Sequence, residues 1–188
     1  TISMTGGTIA ATGALQVGTA NTASGLVSIS GGNFSAAAMN VASGASASGT
    51  LYISGGDVSI TNAAGTARTN LAQGANSTGS IIMTGGNLWL NQLVMGNVNT
   101  ATPELNLSGT AKATISAYAN VGGSVGGKGT VSLSEGAELN AVSLGVGSNE
   151  SSQDTLSMTD TSSLTMLSGN LTAGGGSSSS GKIFVSDQ

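Results

Sequence analysis

The side chains here that could do acid–base or metal chemistry are eight carboxylates: Asp57, Glu104, Glu135, Glu138, Glu150, Asp154, Asp160 and Asp187. Glycoside hydrolysis needs two such groups facing one cleft, roughly 5 to 9 Å apart. A hard cation such as Ca²⁺ needs several oxygen ligands. The chain has no His and no Cys, so imidazole and thiolate metal sites, Cys nucleophiles and Ser-His triads are excluded by residue type. Four cations (Arg68, Lys112, Lys128 and Lys182) leave a net charge of −4, which excludes the basic footprint of a nucleic-acid binder. What chemistry remains depends on whether the fold gathers the acids.

The elements that must position them are built from an unusual mixture. Ala, Gly, Ser and Thr make up 107 of 188 residues, with one Pro and five aromatics. Such a composition marks a disordered linker when aliphatic residues are scarce. Here the hydrophobic fraction is 38% and the mean hydropathy +0.22, enough for a core if the apolar residues are ordered. No apolar run approaches the ~18–20 residues that cross a bilayer, so no transmembrane segment is expected. The opening TISMTGGTIA lacks the basic start and apolar block of a signal peptide, as expected of a mature, fragmentary or cytosolic chain. Without Cys there is no disulfide stapling.

Order comes from a repeat. The chain divides into rungs 1–25, 26–49, 50–79, 80–103, 104–129, 130–154, 155–181 and a partial 182–188. Their second positions are Ile2, Val27, Leu51, Ile81, Leu105, Val131, Leu156 and Ile183. Their fourth are Met4, Ile29, Ile53, Met83, Leu107, Leu133, Met158 and Val185, and every fifth is Ser or Thr. An apolar period of two is a strand with one buried face. A turn follows at Gly6-Gly7, Gly31-Gly32, Gly55-Gly56 and Gly85-Gly86, then a second strand with Ile9, Phe34, Val58 and Leu88 inward. The third strand is expected at Leu15–Gly18, Met39–Ala42, Leu93–Gly96, Ala119–Gly122 and Val142–Gly145. A polar loop, expected to vary most in length, closes each rung. The longest excursion, Thr61–Asn70, is expected on the surface and contains Arg68, read as a solubilising loop charge. Gly174-Gly175-Gly176 with Ser177–Ser180 is read as a flexible corner.

Three short strands and three corners per rung predict a single-domain, all-β, parallel β-helix (β-solenoid) of about seven rungs, either whole or a segment of a longer chain. The usual crossover rule makes it right-handed. The pattern at Gly49-Thr50-Leu51-Tyr52-Ile53-Ser54-Gly55-Gly56 and Ser80-Ile81-Ile82-Met83-Thr84-Gly85-Gly86 resembles the repeats of autotransporter-type passengers, surface β-helices of bacteria. The resemblance spans essentially the whole chain and implies an extracellular, cell-surface setting. Rungs five to seven depart from it, with Gly109-Thr110, Glu135-Gly136 and Asp160-Thr161 in place of Gly-Gly, which predicts altered corners on an intact fold.

On this frame Glu135, Asp160 and Asp187 share the sixth column of consecutive rungs, a candidate Ca²⁺ site whose commoner explanation is solvated corner acids. No cofactor and no catalytic residue is expected. Tyr52, Ile82, Trp89 and Phe184 fall at outward positions and form a candidate interaction patch. The outer hydroxyls of Thr1-x-Ser3-x-Thr5, Thr130-x-Ser132-x-Ser134 and Thr155-x-Ser157-x-Thr159 could serve an ice-binding face, but Tyr52, Ile82 and Asn106 break the array. The column Thr8, Asn33, Asp57, Asn87 reads as a side-chain ladder. Five Asn-x-Ser/Thr sites, at Asn33, Asn76, Asn106, Asn149 and Asn170, are no more than chance supplies in this composition. The expected role is a non-enzymatic extracellular structural or adhesive solenoid, self-associating head-to-tail or laterally, with a cell-surface or glycan target. The alternatives are a carbohydrate-active β-helix and an ice-binding solenoid.

Overall fold

The computed structural model describes residues 1–98, 100–123 and 127–186. Among them are eighteen strands in parallel pairings and no helix, hence none long and apolar enough to cross a membrane. The chain winds as a parallel β-solenoid. One sheet takes the first strand of each of eight successive rungs, from Ile2–Met4 to Ser180–Ser186, in chain order. Its register reproduces the sequence columns: Ile2 lies beside Val27, Val27 beside Leu51, Leu51 beside Ile81, and so on to Leu156 beside Ile183. The cause is the alternation itself, because a slip of one residue would turn every aliphatic outward.

The second sheet holds strands two and three of each rung. They are separate in rungs three, six and seven (Asp57–Ile60 and Arg68–Leu71, Glu138–Ala141 and Leu144–Val146, Ser163–Met166 and Leu171–Ala173). In rungs one, two, four and five they run on as single strands: Thr8–Val17, Asn33–Val41, Asn87–Met95 and Lys112–Val121. Three strands per rung therefore holds in only part of the rod. Small residues such as Ala36-Ala37-Ala38 let the strand bend without breaking, and irregular register absorbs the bend between Ala11 and Ala14 and between Ile115 and Tyr118.

Length varies in a different place from the one expected. From the first inward residue of strand three to the second position of the next rung is twelve residues in every turn: 15 to 27, 39 to 51, 69 to 81, 93 to 105, 119 to 131, 144 to 156 and 171 to 183. The closing corner is thus the most constant part of the repeat, and the expectation that it varies most is corrected. A reason is visible in its hydrogen bonds. Within a corner the Ala47, Ser77 and Ser152 N–H groups donate to Gly44, Gly74 and Asn149 carbonyls. Between corners Thr22 N–H donates to Ala45 O (2.8 Å) and Ser46 N–H to Ala75 O (2.7 Å). An inserted residue would break both sets. Gly174–Ser179 adopts this same bonded corner, with Gly175 N–H on Gly147 O and Ser179 N–H on Gly176 O.

The extra residues go elsewhere. From second position to strand two is seven residues in rungs one to four (81 to 88, for example) and eight in rungs five to seven (105 to 113, 131 to 139, 156 to 164). The altered turns pass through a left-handed residue at Gly109, Glu135 and Asp160, and the fold continues through them as expected. In rung three the excursion is shorter than Thr61–Asn70. Arg68–Leu71 is a strand in register with Met39–Val41 and with Gln92–Met95, Thr69 is buried, and Arg68 opens the strand rather than a loop. Thr69 hid it, standing where other rungs have an aliphatic. Only residues 61–67 bulge out. Asn91 of the next rung holds the bulge, its Oδ1 accepting from Asn62 N–H (2.8 Å) and Ala67 N–H (3.3 Å).

In rung six the third strand is Leu144-Gly145-Val146, paired with Ala119-Asn120-Val121, two residues later than Val142–Gly145. Val142, Leu144 and Val146 alternate, so two placements two residues apart put the same faces inward. The constant corner selects the later one.

The core is a stack of aliphatic columns from Met4 to Leu156, with Ile29, Leu51, Ile53, Ile81 and Met83 sealed at its centre. Burying one such side chain is worth about 1.5–3 kcal/mol. At the terminal rungs the same columns are open: Ile2 and Ile9 at one end, Leu171, Ile183 (37% exposed) and Val185 (74% exposed) at the other.

Candidate functional site

The sixth-column acids lie at the altered turns. Glu135 and Asp160 are exposed, both in the left-handed conformation, and Thr159 Oγ1 donates to Asp160 Oδ2 at 3.1 Å. Asp187 lies outside the described residues. Nowhere among the described residues do three acids gather closely enough to hold an ion. The other acids have separate settings. Glu104 is half-buried on the first sheet and reaches Asn106 Nδ2 (3.4 Å), while Glu150 is exposed at a corner.

The polar column of the second sheet keeps register from Thr8 through Asn33, Asp57 and Asn87, and its side-chain bonding runs from Asp57 onward, past Asn87. Asn87 Nδ2 donates to Asp57 Oδ1 (2.8 Å), and Lys112 and Glu138 follow in register as an ion pair of 2.9 Å. A second ladder runs through Asn40 and Asn70 (2.8 Å). These contacts zip neighbouring rungs along their edges.

The outward apolar residues separate into three places. Tyr52 and Ile82 are register partners on the first sheet, half-buried, with Ser28 before and Asn106 after them. The Tyr52 hydroxyl lies 3.4 Å from Thr84 Oγ1. Tyr52, Ile82 and Asn106 interrupt the outer hydroxyl array in the middle of the rod. Trp89, 39% exposed, is on the other sheet between Ser59 and Thr114. Phe184, 53% exposed, is back on the first sheet but in the last rung beside Ser157. The structure brings Tyr52 and Ile82 together and leaves Trp89 and Phe184 apart from them.

The residue that sequence reasoning passed over is Asp154. The position before each first strand's inward alternation reads Gly25, Gly49, Gly79, Pro103, Gly129, Asp154 and Gly181. Glycine fills five of these seven positions because strand three's end crosses close by. A Cβ on Gly49 would lie 2.6 Å from Val17 O, and one on Gly79 would lie 2.6 Å from the Ala72 nitrogen. Asp154 puts a carboxyl into this crossing. Its side chain is 1% exposed and packs on Gly122, and a methyl on Gly122 would fall inside its van der Waals envelope. Gly129 N–H donates to Oδ1, while Oδ2 has no partner among the described residues. Burial pushes this carboxyl above the usual carboxylate range, against smaller lowering effects of the Gly129 N–H, the Ser152 hydroxyl and the Gly147 N–H. Burial wins because the last two donors are engaged elsewhere, Ser152 Oγ on Asn149 O (2.9 Å) and Gly147 N–H on Val121 O (3.3 Å). An acid in a glycine column was the available signal.

Compared with family models, with curated proteins and with solved structures, the chain finds no match in any of the three.

Proposed function

We propose that the chain is a non-enzymatic structural or adhesive solenoid of a bacterial surface or secreted protein, a building block of a filament, stalk or adhesin in the manner of autotransporter-type passengers. The observation that carries this reading is a rod of eight first strands in register whose outer face sets Tyr52 beside Ile82. Adjacent outward apolar residues mark a partner surface, and contact between such faces assembles rods side by side. The Asn and Asp–Asn ladders and the constant corner favour mechanical continuity along the rod. With four Lys and Arg in 188 residues the chain offers few tryptic sites, which suits a location outside the cell. The scattered acids lend no support to the carbohydrate-active alternative, and the interrupted hydroxyl array lends none to ice binding.

The test is sedimentation velocity and electron microscopy of the purified chain over a concentration series, beside a Tyr52→Ser, Ile82→Ser double variant. Assemblies that grow with concentration and are lost in the double variant support the reading. Discrete monomers at every concentration, together with cleavage of a polysaccharide, overturn it.

A further inference from the structure

Asp154 does more than fill a crowded corner. The first strands of rungs two to five begin at Ser24, Ser48, Thr78 and Thr102, whereas that of rung six begins only at Thr130, leaving Lys128 and Gly129 off the sheet. In a parallel ladder an N–H that faces the next rung donates to a main-chain carbonyl there. The Gly129 N–H donates instead to the Asp154 carboxyl. One main-chain bond of the ladder is therefore replaced where a sealed carboxyl, one oxygen of which has no partner among the described residues, lies between the corners of rungs five and six, while the Gln153 and Thr155 N–H groups still donate to the Gly127 and Gly129 carbonyls on either side. We propose that Asp154 makes the corner around Gly122, Gly129 and Gly147 a proton-controlled joint in the rod, tight while the carboxyl is protonated and loosened when it ionises.

The charged side chains on the elements around it are Lys128 on the rung-five corner, Glu150 on the rung-six corner and Lys182 on the last strand. All three are exposed, and none pairs with the carboxyl. Among the described residues nothing compensates a buried negative charge there beyond the hydrogen bonds already named. Burial keeps the folded carboxyl protonated to higher pH than the unfolded one, whose ordinary value is 3.8. The closed corner is thus most stable below that value. It weakens as pH rises toward the folded titration point and levels off above it. With one proton released on opening, the opening equilibrium changes by about tenfold per pH unit within that window.

The experiment follows the whole chain by NMR from about pH 3 to about pH 8, reading the Asp154 carboxyl carbon and the exchange of the Gly129 and Gly147 amides corrected for intrinsic rates. Asp154→Asn keeps the shape without the ionisation, and Asp154→Gly restores the glycine of the column, so one variant remains informative if the other folds poorly. The expected result is a carboxyl titrating above the ordinary range, amide protection falling about tenfold per pH unit across the window, and flat protection in both variants. A carboxyl titrating in the ordinary range, or variants that keep the wild-type slope, would overturn the joint.

Discussion

Rungs two to four and rungs five to seven solve the same winding problem with different residues. In the earlier set the first turn is Gly-Gly, the corner column reads Gly49, Gly79 and Pro103, and strand two buries Phe34, Val58 and Leu88. In the later set the turn gains a residue and a left-handed Glu135 or Asp160, the corner column admits Asp154, and strand two offers Ala113, Leu139 and the half-buried Leu164. The first turn gains its residue at rung five and keeps it in rungs six and seven, its amides still bonded from rung to rung, as with Asp57 N–H on Gly32 O and Lys112 N–H on Gly86 O. The inner corner accepts no insertion, because its amides are committed both within the corner and to neighbouring rungs, and tolerates a side chain only where a neighbour gives way. Tolerance is set by what lies against the backbone at each position.

The comparison can be broken by substitutions in matched columns. Leu88→Ala, at the sealed centre, should cost about 2–5 kcal/mol in urea unfolding. Leu164→Ala in the same column should cost visibly less, since Leu164 is only partly covered. Equal costs would mean the two halves are packed alike. The next effect concerns the corner. Ala42 and Ala72 occupy the left-handed corner position that Gly122 and Gly147 fill, facing glycines. Gly122→Ala should therefore cost about 1–3 kcal/mol through overpacking against Asp154. Most of that should return in the Gly122→Ala, Asp154→Gly double variant. An additive cycle would separate the two residues.

Asn91→Ala leaves the Asn62 and Ala67 amides without their acceptor, at about 1–3 kcal/mol, and amide exchange should quicken across residues 61–67 with the rungs to either side unaffected. The smallest effect belongs to the exposed ladder. Lys112→Ala should change stability by about 0.2–1 kcal/mol and less in high salt, because the side chains of Lys112 and Glu138 are 54% and 41% exposed.

The winding was legible in the sequence because three columns repeat in all eight rungs and a strand's period of two admits no other inward face. Two local placements were not. Thr69 is inward, buried and polar, so the third strand of rung three carries no aliphatic signal at that column. Val142, Leu144 and Val146 repeat at the strand's own period, so the pattern could not choose between placements in rung six. In both cases the twelve-residue corner decides, and that constancy becomes visible only when counting starts from strand three. Candidate sites were less legible for a related reason. Outwardness can be read from parity, which identified Tyr52 and Ile82 as neighbours. Parity does not measure distance around or along the rod, so Trp89, on the other sheet, and Phe184, in the last rung of the same sheet, share the outward parity without being neighbours. Asp154 was counted among the acids by charge, while its meaning lies in the glycines above and below it.

The claim on which the rest depends is the in-register stacking of successive rungs, and paired cysteines test it in a chain that has none. Thr114 and Asn140 are register partners, both half-buried on the outer face of the second sheet, whereas Glu138 pairs with Lys112, two residues away from Thr114's partner. Neighbouring parallel strands bring register partners to about 4.8 Å, within disulfide reach, and put the offset pair at about 7–8 Å. The account predicts rapid, nearly complete oxidation of the Thr114→Cys, Asn140→Cys variant and little in Thr114→Cys, Glu138→Cys. Equal oxidation of the two, or a preference for the offset pair, would contradict it.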